Sequence, residues 1–148
     1  MAQGNVNQNE LNKTYSTTQV NDSSIIALPA GEAITDVRCR AVIFDEDGNV
    51  VLAGAGDAPF GVGIITNDVN IAVGDFVDVQ YKNIGLGYTG AAITKGAALS
   101  VDANGCFIPA TAGESAAVAL EAASGAGVYI KILLKAGNGL ASSDAASE

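Results

Sequence analysis

The chain has 148 residues, enough for one domain with its own core, and 16 acidic against seven basic residues give it a formal charge of −9. Such an acidic balance provides no general attraction to nucleic acid or to an anionic membrane. Histidine is absent, which removes the commonest general base, the usual catalytic triads and most zinc and copper sites. No enzymatic activity, cofactor, metal, nucleic acid or membrane partner is expected.

Hydrophobic residues make up 49% of the chain, but aromatics only 5%, and glycine occurs 18 times. A core of Ala, Val, Ile and Leu punctuated by glycine favours many short strands over long helices. The expected fold is therefore all-β, a small antiparallel β-barrel or β-sandwich. Cys39 and Cys106 lie far apart and in no CxxC motif. They read as buried thiols acting as small hydrophobes, with a single disulfide between them as the alternative.

Residues 1–24 are dominated by Asn, Gln, Ser and Thr, with scattered apolar positions at Val6, Leu11, Tyr15 and Val20. This segment cannot bury enough surface to fold alone. It is either a disordered tail or an extended arm that orders on a partner by strand pairing, since Tyr15–Val20 is rich in β-formers. It has neither the basic start nor the apolar centre of a secretory signal, so synthesis in the cytosol of its producer is expected. The β-domain is expected over 25–136, with a flexible polar tail over 137–148.

Ser24–Leu28 is the first strand, closed by Pro29-Ala30-Gly31. Val37–Phe44 reads as a second, in which Arg38 and Arg40 alternate with Val37, Cys39 and Ala41, giving one apolar and one basic face. The turn Asp45–Asn49 joins it to Val50–Ala53 as a hairpin. Its DEDGN sequence fails the calcium-loop pattern, because glycine and glutamate do not fall where that loop needs them. Phe60–Thr66 is a strand. In Asp75–Tyr81 the acids Asp75 and Asp78 point to opposite faces, which argues against a paired-carboxylate site.

Gly85, Gly87 and Gly90 match the spacing of a dinucleotide loop, but no helical pattern follows them, so Lys82–Gly90 reads as a bent strand or bulge. Ala97–Val101 and Cys106–Ile108 flank the turn Asp102–Gly105, where Asn104-Gly105 tolerates positive φ. Ala117–Leu120 reads as a strand despite its alanines, and Val128–Leu134 is the strongest β-run. Strand–turn units recur along the chain without an exact internal repeat.

In order, Phe60–Gly63 (FGVG), Gly74–Val79 (GDFVDV), Gly90–Ser100 (GAAITKGAALS), Asp102–Gly105 (DANG) and Ala119–Leu134 (ALEAASGAGVYIKILL) resemble the bacteriophage capsid decoration, or cement, proteins. The resemblance covers roughly half the chain, about Ala53–Lys135. It implies a β-tulip-like domain, commonly trimeric, that binds the outer surface of an icosahedral head and stabilises the lattice of major capsid protein, with no catalytic residues. The polar arm and the Val37–Leu52 hairpin depart from that pattern. Candidate contacts with capsid or with neighbouring subunits are Leu11, Tyr15 and Val20 of the arm, and Arg38 and Arg40. The rival expectations are a head-fibre base or adhesin-type module facing the host surface, and an enzyme in which Asp45, Asp47, Asp57 and Asp75 converge.

Overall fold

The computed structural model describes residues 23–111, 115–135 and 137–141. Among them the chain forms β1 (Ile25–Pro29), β2 (Ile34–Thr35), β3 (Ala41–Phe44), β4 (Val50–Leu52), β5 (Gly61–Gly63), β6 (Asn70–Ile71) and β7 (Phe76–Gln80). There follow β8 (Ile84–Tyr88), β9 (Ala98–Val101), β10 (Phe107–Pro109), β11 (Ala117–Ala119) and β12 (Tyr129–Leu134). Every strand pair is antiparallel. One sheet has the order β1-β7-β5-β3-β4, a second β10-β9-β11-β12-β8, and β2 pairs with β6. The all-β, sandwich-like expectation is borne out, and neither large sheet closes into a barrel.

The two large sheets share one plan. Read from β8, the second runs β8-β12-β11-β9-β10, which is the first sheet's order with each strand replaced by its counterpart. The register agrees as well. Ile25 faces Gln80 and Pro29 faces Phe76 in β1/β7, while Ile84 faces Leu133 and Tyr88 faces Tyr129 in β8/β12. Beyond β1 and β8 respectively, a single parallel bridge reaches the hairpin strand at the opposite edge, Ala30 to Val50 and Thr89 to Phe107. The hairpin turns also match. Asp45 Oδ1 accepts the N–H groups of Asp47 and Asn49, both at 2.9 Å, and Asp102 Oδ1 accepts those of Asn104 at 2.8 Å and Cys106 at 3.0 Å. The chain is a tandem of two equivalent halves, 25–80 and 84–134. Its clearest sequence trace is Gly31-Glu32-Ala33-Ile34-Thr35 against Gly90-Ala91-Ala92-Ile93-Thr94.

Each half has its own core, to which strands such as β7, β9 and β12 turn alternate residues inward. Val37, Val42, Val50, Phe60, Val77 and Val79 fill the first half. Leu99, Val101, Phe107, Ile130 and Ile132 fill the second, where they also meet Ala41, Ile43 and Val62 from the outer side of the first. Backbone bonds lock the halves together: Tyr88 N–H donates to the Cys39 carbonyl and Ala41 N–H to the Gly105 carbonyl, both at 2.8 Å.

Three segments differ from the sequence reading. Only Ala41–Phe44 of the expected Val37–Phe44 strand is regular, because Asp36 and Cys39 take positive φ of 59° and 62° and turn the chain before it. Within Lys82–Gly90, β8 pairs without a bulge over Ile84–Tyr88, and the bends fall at its ends, at Lys82–Asn83, where Asn83 takes a positive φ of 73°, and at Gly90. Residues 137–141, placed with the tail by the sequence reading, lie against the first half: Gly139 N–H donates to the Ala58 carbonyl and Phe44 N–H to the Gly139 carbonyl, both at 2.8 Å. The strand reading of Ala117–Leu120 holds as β11.

Phe107 is among the largest fully buried side chains. Phe107→Ala is expected to lower the unfolding free energy by about 3–5 kcal/mol through lost burial and the cavity left behind, read as a lower midpoint in urea unfolding.

Candidate interaction surface

Strand β8 reverses the usual use of an alternating strand. Its small residues, Gly85 and Gly87, face inward, and its large ones, Ile84 and Leu86, face out. Packing requires this arrangement. A Cβ on Gly87 would stand 2.9 Å from Phe107 Cδ2 and 3.0 Å from Ile132 Cδ1, so these side chains would have to shift to admit it. Directly opposite residues of an antiparallel pair share a face, so Leu86 lies beside Lys131 and Ile84 beside Leu133 on the outer surface.

The result is an apolar exterior. Ile84 is 57% exposed, Tyr129 51% and Leu133 41%. Ile65, from the loop after β5, adds to it at 62% and lines one recess together with Arg38, Leu86 and Tyr129. Asn67 fixes that loop. Its buried side-chain amide donates to the carbonyls of Ile64 at 2.9 Å and Asp78 at 2.8 Å, and accepts from Asp78 N–H at 2.8 Å. A neighbouring recess of about 310 Å³ is lined largely by apolar groups, among them Val62, Ile65, Ile84 and Leu86. Soluble monomers rarely expose a continuous apolar patch without a use for it. Strand β8 ends its sheet, and its outer edge is partly engaged within the domain, by Tyr88 N–H on the Cys39 carbonyl at 2.8 Å and Gln80 Nε2 on the Ile84 carbonyl at 2.9 Å.

The arginines singled out in the sequence border the patch, each engaged within the domain. Arg38 forms a bidentate pair with Asp36, at 2.7 Å through Nε and 3.0 Å through Nη2. Hydrogen bonding to the Arg38 side chain holds the Asp36 carboxyl below its ordinary range, and the same bond raises the Arg38 guanidinium. The Arg40 guanidinium lies 5.2 Å from the centre of the Tyr88 ring, within cation–π range. Leu11, Tyr15 and Val20 lie outside the described residues.

Other chemistry weighed in the sequence has different uses here. The oxygens of Asp45 and Asp57 serve turns: Asp45 Oδ1 holds the hairpin and Asp57 Oδ2 accepts Gly54 N–H at 2.6 Å. Asp75 Oδ2 likewise accepts Ala72 N–H at 3.1 Å. Among the described residues no three acidic, Cys or His side chains are grouped to hold a metal ion. Gly85 and Gly87 lie within an antiparallel strand whose neighbour in sequence is another strand, not a helix. Cys39 and Cys106 are free and buried, and burial pushes both thiols above the ordinary range.

No family model matches the chain, and no curated protein does. Among solved structures it is similar to the head fiber gp8.5 N base of bacteriophage phi29, with a TM-score of 0.58 and 17% identity over 75% of this chain and 92% of that one. What the two share is the fold. A match over that much of the chain exceeds either half alone, so it takes in the tandem.

Two outcomes follow from this geometry. Gly87→Val is expected to destabilise the domain by about 1–3 kcal/mol by overpacking against Phe107 and Ile132, whereas Leu86→Ser, on the outside of the same strand, changes stability by only about 0.5 kcal/mol; urea unfolding of both variants measures the contrast. Because the fold raises both thiols, their ionisation is favoured on unfolding. Stability is then retained below the ordinary thiol pKa of about 8.5 and falls as pH rises past it. A Cys39→Ala, Cys106→Ala double variant flattens that alkaline loss in unfolding curves recorded between pH 7 and 10.

Proposed function

We propose that this protein is a structural component of a phage virion that binds the outer surface of an icosahedral head and stabilises the lattice of major capsid protein there. The observation that carries this reading is the fold likeness to a phage head-fibre base, spanning nearly all of that chain. The sequence resemblance to capsid decoration proteins points to the same setting. Such a role needs area, rigidity and repeated identical contacts more than a reactive site. On a symmetric shell, weak contacts add through effective concentration.

In this reading the protein acts as a homotrimer. The segment before Ser23, with Leu11, Tyr15 and Val20, supplies shell contacts by strand addition to a capsid edge, which uses backbone hydrogen bonds. Arg38 and Arg40, held in place by Asp36 and Tyr88, serve contacts between subunits. A second reading is favoured by the same structural likeness: the chain is the base of a head fibre, attached to the shell but not reinforcing it.

Sedimentation of undecorated heads with purified protein tests the proposal. Saturable binding, loss of binding on deletion of residues 2–22, and greater survival of the loaded heads on heating are expected. Binding without added resistance selects the fibre-base reading, and no binding to heads overturns both.

A further inference from the structure

The two halves carry equivalent outer faces with opposite character. Register places Asp78 of the first half where the second has Lys131, Ala27 where it has Leu86, and Phe76 where it has Tyr129. Arg38 and Lys131 line the recesses of the second face, and Arg40 lies over Tyr88 beside it. Asp36 and Glu121 offset them in part: Asp36 pairs with Arg38, and Glu121 Oε1 accepts Lys131 N–H at 2.7 Å. On the first face Asp78 shares the outer side of β7 with Phe76, and residues 41–81 contain no lysine or arginine.

Shape follows the same division. Phe76 is 68% exposed, more than any other large hydrophobic side chain among the described residues, with Val73 beside it on the turn into β7. The recess of about 310 Å³ lies at the other end of β7, where Gln80 lines it. Cavities of ~150 Å³ hold benzene, so this one has room for a phenyl ring. Four strand steps separate Phe76 from Gln80, ~13 Å. Phe76 therefore does not fill the recess of its own molecule.

We propose that copies of this chain associate by inserting Phe76 of one into the recess between Ile65, Ile84 and Leu86 of the next, with Asp78, on the same face as Phe76, meeting Lys131, which lines the recess. The occupant is a second copy because the missing knob and the opposite charge both stand on this same chain. A contact between unlike patches builds a ring when the rotation between copies closes. The inference deepens the oligomeric part of the reading above and rests on that part alone; it does not depend on binding to heads.

Sedimentation velocity on the full chain, with Phe76→Asp and Leu86→Asp variants, tests it. Both side chains are exposed, and matching far-UV spectra establish that the variants fold. The wild type is expected to be an oligomer that weakens as salt rises. Each variant alone is expected to dissociate, with a loss of affinity of about tenfold or more. Mixing the two restores a 1:1 dimer, since one copy keeps its knob and the other its recess. A monomeric wild type overturns both the oligomer and the contact. An oligomer indifferent to both substitutions, or variants whose mixture stays monomeric, overturns the contact and leaves the oligomer standing.

Discussion

Phe107 and Ile132 fit inside the second half because Gly87 has no side chain. That steric condition settles much of what lies outside. With glycine turned inward along β8, strand alternation sends Ile84 and Leu86 to the surface, where they meet Leu133 and Lys131 of β12. An apolar exterior is thus the counterpart of a core packed from the opposite strand. In the first half the equivalent strand, β1, has Ala27 where β8 has Leu86, so the same plan yields a less apolar face.

The duplication gives this asymmetry its meaning. Two halves with one strand order and matching turns have diverged least where backbone demands are strict, at the Asp-anchored hairpins and the Gly-x-Ala-Ile-Thr segments that follow the first strand of each. They differ in charge on the outer sides of β7 and β12. There no packing constraint holds the residue type, and Asp78 stands against Lys131. Surface positions of equivalent strands are free to specialise, and the acidic knob and basic-rimmed recess are the form that specialisation takes.

Much of the fold was legible in the sequence. Both hairpins could be read because an Asp-x-x-Gly turn between apolar runs carries its own local chemistry, and β11 because Gly-rich turn residues follow its alanines. The regular pairing of β8 was not legible because Gly85 and Gly87 resemble a break unless one knows that the Gln80 side chain lies against the first and Phe107, distant in sequence, against the second. The turn at Cys39 had no signal, and that at Asp36 only the weak one that Asp tolerates positive φ. The tandem left a visible trace in GEAIT and GAAIT, hidden by unequal loops between the strands. Arg38 and Arg40 were singled out by alternation in a strand that begins only at Ala41, and the patch they border was not legible, because it joins β5, β8 and β12 and only the topology brings those together.

The central claim, that this is a head-surface protein, is tested most directly by cryo-imaging of undecorated heads incubated with the full chain. The account predicts density for the all-β domain at symmetry-related positions on the outside of the shell. Heads that remain bare at saturating protein would contradict it.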